Sequence, residues 1–581
     1  MQIKQLIIHN LLLVVRELTK ESIDLEISIS EKAEQGDYYT NVALRLASIL
    51  KKKQLDIAYQ IKSEFEKLVL PSSQPSHIKG EGDQSSVIDR VEVAPPGFVN
   101  FFLSEQYLDE TLKYIKRKGL KFGSSDNLKN QKVMVEFTDP NPFKEFHIGH
   151  LYSNIIGESL SRLFESQGAT VWRVCYQGDV GLHVAKAIYG MQKLSSQMPD
   201  DNAPLSIRAQ FMGRAYALGS RDYDLNENIK KEIDELNKKI YDQDSSIREL
   251  YKKGRKWSLE YFDSIYKRLG TKFEHYYFES EVGKVGVELV REFLKKKVFE
   301  ESDGAVIFPG KKHGLHNRVF INSLGIPTYE AKDLGLAPTK FKDFPYDRSI
   351  IITAQEQAEY FRVVFSALAQ INPELASKTI HISHGLVKLP GGKMSSRSGE
   401  VITGDWLMDE TVSRISKAYP DMDGLTAQKV GLAAIKYALL KGAIGRDIEF
   451  NFEESISLSG ASGSYLQYAY VRTRSVFEKS RIASRSSHVE NTENEDRKTN
   501  SEELAVLRSL VHFEEIVSEA QSRLVPNLVA EYLFDLAQKF NLFYQKHRIA
   551  GNEFRMNLTE AVGQTLQNGL SLLGLATVEK M

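Results

Sequence analysis

His147-Ile148-Gly149-His150 places two imidazoles either side of a glycine, where a β-prone run, Lys132 to Thr138, gives way to a segment of helical spacing. A helix N-terminus at that point presents free N–H groups and the positive end of a dipole, and two imidazoles add donors for the same phosphate oxygens. Gly149 leaves the backbone open to a flat base. A bland reading competes, in which the histidines cap a helix or form an i,i+3 metal pair. A second cluster, Lys393-Met394-Ser395-Ser396-Arg397-Ser398-Gly399, follows Pro390, Gly391 and Gly392. Lysine, arginine and hydroxyls on a glycine-rich loop could neutralise a triphosphate and its leaving pyrophosphate. Alone, that loop reads as a solvated basic turn.

The first cluster needs a strand before it and a helix after it. Val133, Val135 and Phe137 alternate as in a strand; Leu151, Ile155, Ile156, Leu160, Leu163 and Phe164 recur as in a helix. Gly168 stops that helix and Val171 to Tyr176 is strand-like, which makes a βαβ unit. Ile229, Ile233, Leu236 and Ile240 predict long helices inserted into the α/β core, at about 190–300. Strand-like runs at Ala305 to Phe308, Ser349 to Thr353 and Ile380 to Val387 predict that the sheet resumes, and the domain closes near residue 420. Before it, an amphipathic start, a Pro- and Ser-rich loop at 71–82 and a turn leading into a strand at 91–103 predict a compact domain ending near 112. After it, Lys429 to Ile444, Ser464 to Ile482, Glu502 to Ala520, Val529 to His547 and Leu558 to Leu573 favour helices, with an exposed polar connection from Ser484 to Glu503.

The expected fold is therefore α/β and multidomain. It has a small α/β domain (1–112), a Rossmann-type parallel-sheet catalytic domain with a helical insertion (113–420), and an all-α bundle (421–581). A chain of 581 residues is too long for one core, and 42% hydrophobic with 26% charged residues excludes a disordered or fibrous protein. Lysine and arginine (76) balance aspartate and glutamate (77), so any nucleic-acid surface must be local. Cys175 is the only cysteine, which excludes disulfides and multi-cysteine zinc sites and fits a reducing compartment. No apolar run reaches membrane-spanning length, so a soluble, cytoplasmic protein without structural zinc is expected.

In order and separation, the two clusters resemble the HIGH and KMSKS signatures of class I aminoacyl-tRNA synthetases, with Ser396 and Arg397 where the second consensus has lysine and serine. The run Val135-Glu136-Phe137-Thr138-Asp139-Pro140-Asn141 with Lys144, and Pro327-Thr328-Tyr329-Glu330-Ala331-Lys332-Asp333 with Glu356-Gln357, resemble the arginyl-tRNA synthetase family. So do Gly36 to Ala43 and Pro96-Gly97-Phe98-Val99-Asn100 near the start, Gly463 to Arg472, and the ending Leu573 to Met581.

The resemblance implies ATP-dependent activation of L-arginine and its transfer to tRNA(Arg). His147, His150, Lys144 and Lys393 would stabilise the transition state, while Gly149, Gly178, His384, Gly385, Ser395 and Ser396 would help hold ATP with its magnesium. Glu136, Tyr329, Asp333 and Gln357 would take the guanidinium, whose fork of N–H groups needs such acceptors, and Asn141 the amino-acid backbone. Asp139 stands where a carboxylate would repel the substrate's own. Phe98 and Asn100 would meet the tRNA elbow, and Tyr465, Tyr468 and Arg472 the anticodon, although packing roles compete for each. The family implies a tRNA requirement for activation. Buried carboxylates left unpaired by a wrong amino acid make an editing domain unnecessary, and a monomer is expected. Rival readings fare worse. A cysteine-specific synthetase needs zinc held by cysteines, and a small-molecule adenylyltransferase needs no such flanking domains. A silent RNA-binding paralogue would not need both signatures intact.

Overall fold

The computed structural model describes residues 3–19, 28–29, 36–69, 87–390, 402–486 and 499–581. At its centre lies a sheet of five parallel strands: β1 (Lys132–Glu136), β2 (Thr170–Gln177), β3 (His275–Phe278), β4 (Arg348–Ala354) and β5 (Thr379–His384). Their order is β5-β4-β1-β2-β3, with Val135 of β1 level with Arg173 on one side and Ile350 on the other. Strand order reverses between β1 and β4, so the crevice at their carboxyl ends is the switch point where doubly wound sheets bind ligands. β1 and β4 are apolar because both faces are covered; Val133, Met134, Val135, Ile350 and Ile352 are all buried.

The helix Ile148–Ser166 crosses from β1 to β2 and is buried along nearly its whole length. It lies close to the sheet because Gly157 meets the Phe137 ring, which a β-carbon would approach to 2.1 Å. Four helices follow β2: Leu182–Lys193, Leu205–Leu225, Glu227–Tyr241 and Arg248–Leu269. The periodic Ile233, Leu236 and Ile240 point into a core of their own with Val184, Phe211 and Trp257.

Two expectations are corrected here. Ala305–Phe308 does not continue the parallel sheet. It forms a separate antiparallel sheet with Glu300–Ser302 and Arg318–Ile321, because its neighbours lie one tight turn away and one short loop away. The fifth parallel strand is His275–Phe278, inside the segment expected to be helical.

The N-terminal domain packs helices Ile3–Thr19, Val42–Leu50 and Gln54–Val69 against a four-stranded antiparallel sheet, with Ile7, Leu11, Leu46, Ile61 and Phe101 in the core. The expected loop at 71–82 lies outside the described residues. Beyond the catalytic sheet the chain is almost entirely helical: Gly404–Ala418, Gly424–Leu440, Gly463–Ser486, Ser501–Val511, Phe513–Arg523, Asn527–Lys546 and Glu553–Leu572. The single helix expected over Glu502 to Ala520 is two. The chain breaks at His512, whose ring meets Tyr38 edge-on at 5.0 Å while Phe513 turns inward against Phe122. The N-terminal domain is fastened to this bundle by an ion pair of buried Asp37 with half-buried Arg508 at 2.9 Å and a Tyr38–Glu515 hydrogen bond at 3.0 Å. Most of the polar connection expected after Ser484 lies outside the described residues.

Candidate active site

His147 is the N-cap of the helix after β1. Its Nδ1 accepts from the backbone N–H groups of Gly149 (3.1 Å) and His150 (3.3 Å), and His150 Nδ1 accepts in return from His147 N–H at 3.3 Å. The rings stack at 3.5 Å. With Nδ1 an acceptor in both, the neutral imidazoles carry their proton on Nε2 and keep that N–H as a donor. Burial, with Lys144 and His384 adding to it, brings His147 down to about 4; burial and His147 hold His150 well below the usual range. Both rings are therefore neutral donors near pH 7. Gly149 has no side chain because a β-carbon would stand 3.0 Å from the His147 ring.

These histidines open onto a cavity of about 580 Å³ at the carboxyl end of the sheet. It gathers Glu136, Asn141, His147, Gly149, His150, Gly178, Tyr329, Asp333, Gln357 and His384, residues spread over 249 positions of sequence from 136 to 384. One end is carboxylate-rich, with Glu136, Asp139, Glu279 and Asp333 facing it. Two lysines answer four acids: Lys340 pairs with Glu136 at 2.5 Å and Lys332 with Glu279 at 2.6 Å, all four side chains buried. Burial pushes Asp333 up to about 8, opposed by a hydrogen bond from Tyr360 and reinforced by Glu136. Asp139 is raised well above the usual range by burial and by Glu136, against a backbone hydrogen bond from Tyr176. Arg318 on the wall is tied to Glu330, so the pocket holds more acid than free positive charge, and a cation entering it would let the acids ionise. Asp139, whose orientation the sequence left open, turns to β2 and accepts from Tyr176 N–H at 2.7 Å.

The remaining residues are placed as follows. Gly178 lies where a β-carbon would come within 2.4 Å of Asn141 Oδ1 and 3.0 Å of Glu279 Oε1. His384 is buried beside Tyr152, its Nδ1 bonded to the Gly385 carbonyl at 2.8 Å. Gly385 is not on the cavity wall; its bareness admits the Arg446 carbonyl, 2.2 Å from where a β-carbon would be. Lys144 also stands off the wall, its ammonium 4.9 Å over the Tyr216 ring. Lys393, Ser395 and Ser396 lie outside the described residues. The chain just past them meets the histidines directly: Ile148 N–H donates to Ile402 carbonyl at 3.0 Å, and Gly404 N–H to Phe146 carbonyl at 2.7 Å.

The family model described as tRNA synthetases class I (R), catalytic domain, matches residues 112–452. The chain belongs to the arginyl-tRNA synthetase family. The family's N-terminal domain matches 1–103 and the DALR anticodon binding domain matches 466–581. The arginine–tRNA ligase of Borrelia hermsii is 32% identical over 83% of this chain and 85% of its own. That of Clostridium kluyveri is 30% identical over 97% of this chain and 99% of its own. The arginyl-tRNA synthetase structure from Thermus thermophilus superposes with a TM-score of 0.77 at 22% identity, covering 99% of this chain and all of that one. The Plasmodium falciparum structure gives 0.76 at 21%, covering 100% of this chain and 99% of that one. At those identities the two structures speak for the fold.

Away from the cavity, Phe98 is half-buried with its ring edge-on to Tyr39 at 5.9 Å, while Asn100 is buried, level with Tyr39 and Glu92 in the sheet. Tyr465, Tyr468 and Arg472 do share a helix face. Arg472 donates to Tyr468 Oη and to Asn541 Oδ1, both at 2.6 Å, and stands between the Tyr468 and Tyr544 rings at 4.6 and 4.8 Å. Sequence reasoning missed Asn541 and Tyr544 here, Glu279 and Tyr360 on the cavity wall, and the pairing roles of Lys332 and Lys340 behind it. The first two sit on a helix that looks merely amphipathic, and the acids and lysines of the cavity are indistinguishable in sequence from surface charge. No helix among the described residues is long and apolar enough to cross a membrane.

Proposed function

We propose that this cavity is where the chain, an arginine–tRNA ligase, joins its substrates. The enzyme uses ATP to activate L-arginine as arginyl-adenylate and transfers it to the 3′-terminal adenosine of tRNA(Arg). The observation that carries the site assignment is the cavity's polarity: neutral imidazole donors on a helix start at one end, an excess of buried acids at the other.

Glu136, Asp333, Tyr329 and Gln357 take the guanidinium, and Asn141 the backbone of arginine. Its carboxylate attacks the α-phosphorus of ATP in line, and pyrophosphate leaves. Charge developing on that phosphorus is met by the Nε2–H groups of His147 and His150 and by the helix dipole, which are fixed before substrate arrives. Gly149 and His384 shape the nucleotide end, with Gly385 behind His384, Gly178 keeping the space beside Asn141 clear, and Lys144, Lys393, Ser395 and Ser396 serving the phosphates. Imidazole and amide N–H groups suit phosphate oxygen rather than a hard cation, so magnesium enters on the triphosphate as part of the substrate. The terminal 2′-hydroxyl of tRNA is the acceptor, and tRNA is needed for activation. Residues 1–112 serve the tRNA elbow through Phe98 and Asn100, and residues 421–581 the anticodon through Tyr465, Tyr468 and Arg472. The protein works as a cytoplasmic monomer.

Two measurements test this reading. Only arginine, among all amino acids offered, should be attached to total tRNA. His150→Ala should abolish activation while leaving tRNA affinity intact; wild-type activation in that variant would remove His150 from the site.

A further inference from the structure

Asp333 is surrounded by groups that oppose its ionisation. Glu136 from β1, Asp139 from the turn after it and Glu279 from the helix after β3 all face it. The nearest cation, Lys340 on its own helix, is already held by Glu136 at 2.5 Å. Besides that shared lysine, one hydroxyl stands against these: Tyr360, from the helix after β4, donates to Asp333 Oδ2. The Tyr360 ring is fixed on its other side. The Arg318 guanidinium lies 5.3 Å from its centroid and is itself pinned by Glu330 at 3.0 Å, and Phe361 meets the ring edge-on at 5.1 Å. Tyr360 keeps its proton across the working range, because burial and Asp333 hold its hydroxyl well above the ordinary value. It is therefore always a donor, and a donor favours the carboxylate over the acid.

We infer that Tyr360 is a specificity-determining positioning residue, which aims Asp333 into the cavity and eases its passage into the ionised form that a guanidinium requires. This rests on the reading of Asp333 as a guanidinium partner. The side chain of arginine would then be selected by a carboxylate whose ionisation is helped by a neighbour that need not touch the substrate itself. Lysine, with a point-like ammonium, would gain less from an acid held in one orientation.

The test is the pH dependence of kcat/KM for arginine, measured in aminoacylation with full-length enzyme and saturating tRNA and ATP. Wild type should rise as Asp333 ionises and then level off. In Tyr360→Phe the inflection should move up by about one to two pH units, the effect of losing one hydrogen bond to a charged group. Arginine use should approach the wild-type level at the alkaline end, while KM for ATP stays unchanged. A merely structural role would lower arginine use by the same factor at every pH, and that result, or an unmoved inflection, overturns the inference. Asp333→Asn separates the two claims. If it abolishes the inflection and damages arginine use while Tyr360→Phe leaves the profile in place, only the role of Tyr360 falls. If Asp333→Asn keeps wild-type arginine use, the reading of Asp333 falls and this inference with it.

Discussion

Gly178→Ala should damage arginine use through Asn141 and through little else. The glycine is not in the left-handed region that alanine avoids, but an alanine methyl would stand 2.4 Å from Asn141 Oδ1 and 3.0 Å from Glu279 Oε1. Ordinary contact is at about 3.5 Å, so Asn141 must retreat by about 1 Å. Its side chain lines an open cavity and has room to turn, which keeps the loss of stability below about 1 kcal/mol. A misplacement of about 1 Å in a substrate-positioning group lowers the rate roughly 100-fold. Steady-state aminoacylation should therefore show kcat/KM for arginine falling by about that factor, with KM for ATP little changed. Asn141→Ala should produce a similar loss, and the double variant should lose little more, since both remove one interaction. Additive losses, or arginine use undiminished in Gly178→Ala, would refute the assignment of Asn141 to the amino-acid backbone.

Acid should destabilise the fold through its buried histidines. Burial holds His147 and His381 at about 4 and His183 at about 3, against about 6.5 when unfolded. The unfolded chain thus binds more protons between those values, so this stability is complete above about pH 6.5 and is lost as pH falls toward 4, and toward 3 for His183, on the order of 3 kcal/mol per histidine; melting temperatures across that range check it. Lys436→Met removes an ammonium that donates to the Leu269 and Gly574 carbonyls, both at 2.6 Å, and should cost about 2–4 kcal/mol. Limited proteolysis should then cut the last residues of the chain sooner than in wild type, and unchanged digestion would count against this. Arg472→Ala, which separates the Tyr468 and Tyr544 rings, should weaken tRNA binding about 10- to 100-fold without altering arginine KM, as a filter-binding titration would show.

The elements nearest the chemistry were legible because local pattern and tertiary role coincide there. β1, the histidine helix and β2 carry clean periodicities and a glycine stop, and they fall within a residue or two of expectation. β3 was illegible because four aromatic-rich residues between long helices have no room to show alternation, and they pair only with a strand about 100 residues away. Ala305–Phe308 looks like any strand, and nothing local says which sheet it joins. Within the site, the residues carried by recognisable runs were found. Tyr360, Glu279 and Lys340 were not, and Lys332 stood in a recognised run without a role, because their meaning lies in pairings across 27 to 204 positions. Asn100 shows the converse: the resemblance assigned it to the tRNA elbow, and the sheet register buries it.

Asp37, Tyr38, Arg508 and Glu515 bring the first and last quarters of the polypeptide into direct contact, so the molecule is fastened in a ring around its catalytic core. Shortening it from the front would strand a guanidinium and a carboxylate on the bundle without their mates. A truncation that abolished charging would then report a damaged joint as readily as a lost RNA contact. For the same reason, transplanting either flank into a relative should succeed only when both travel together.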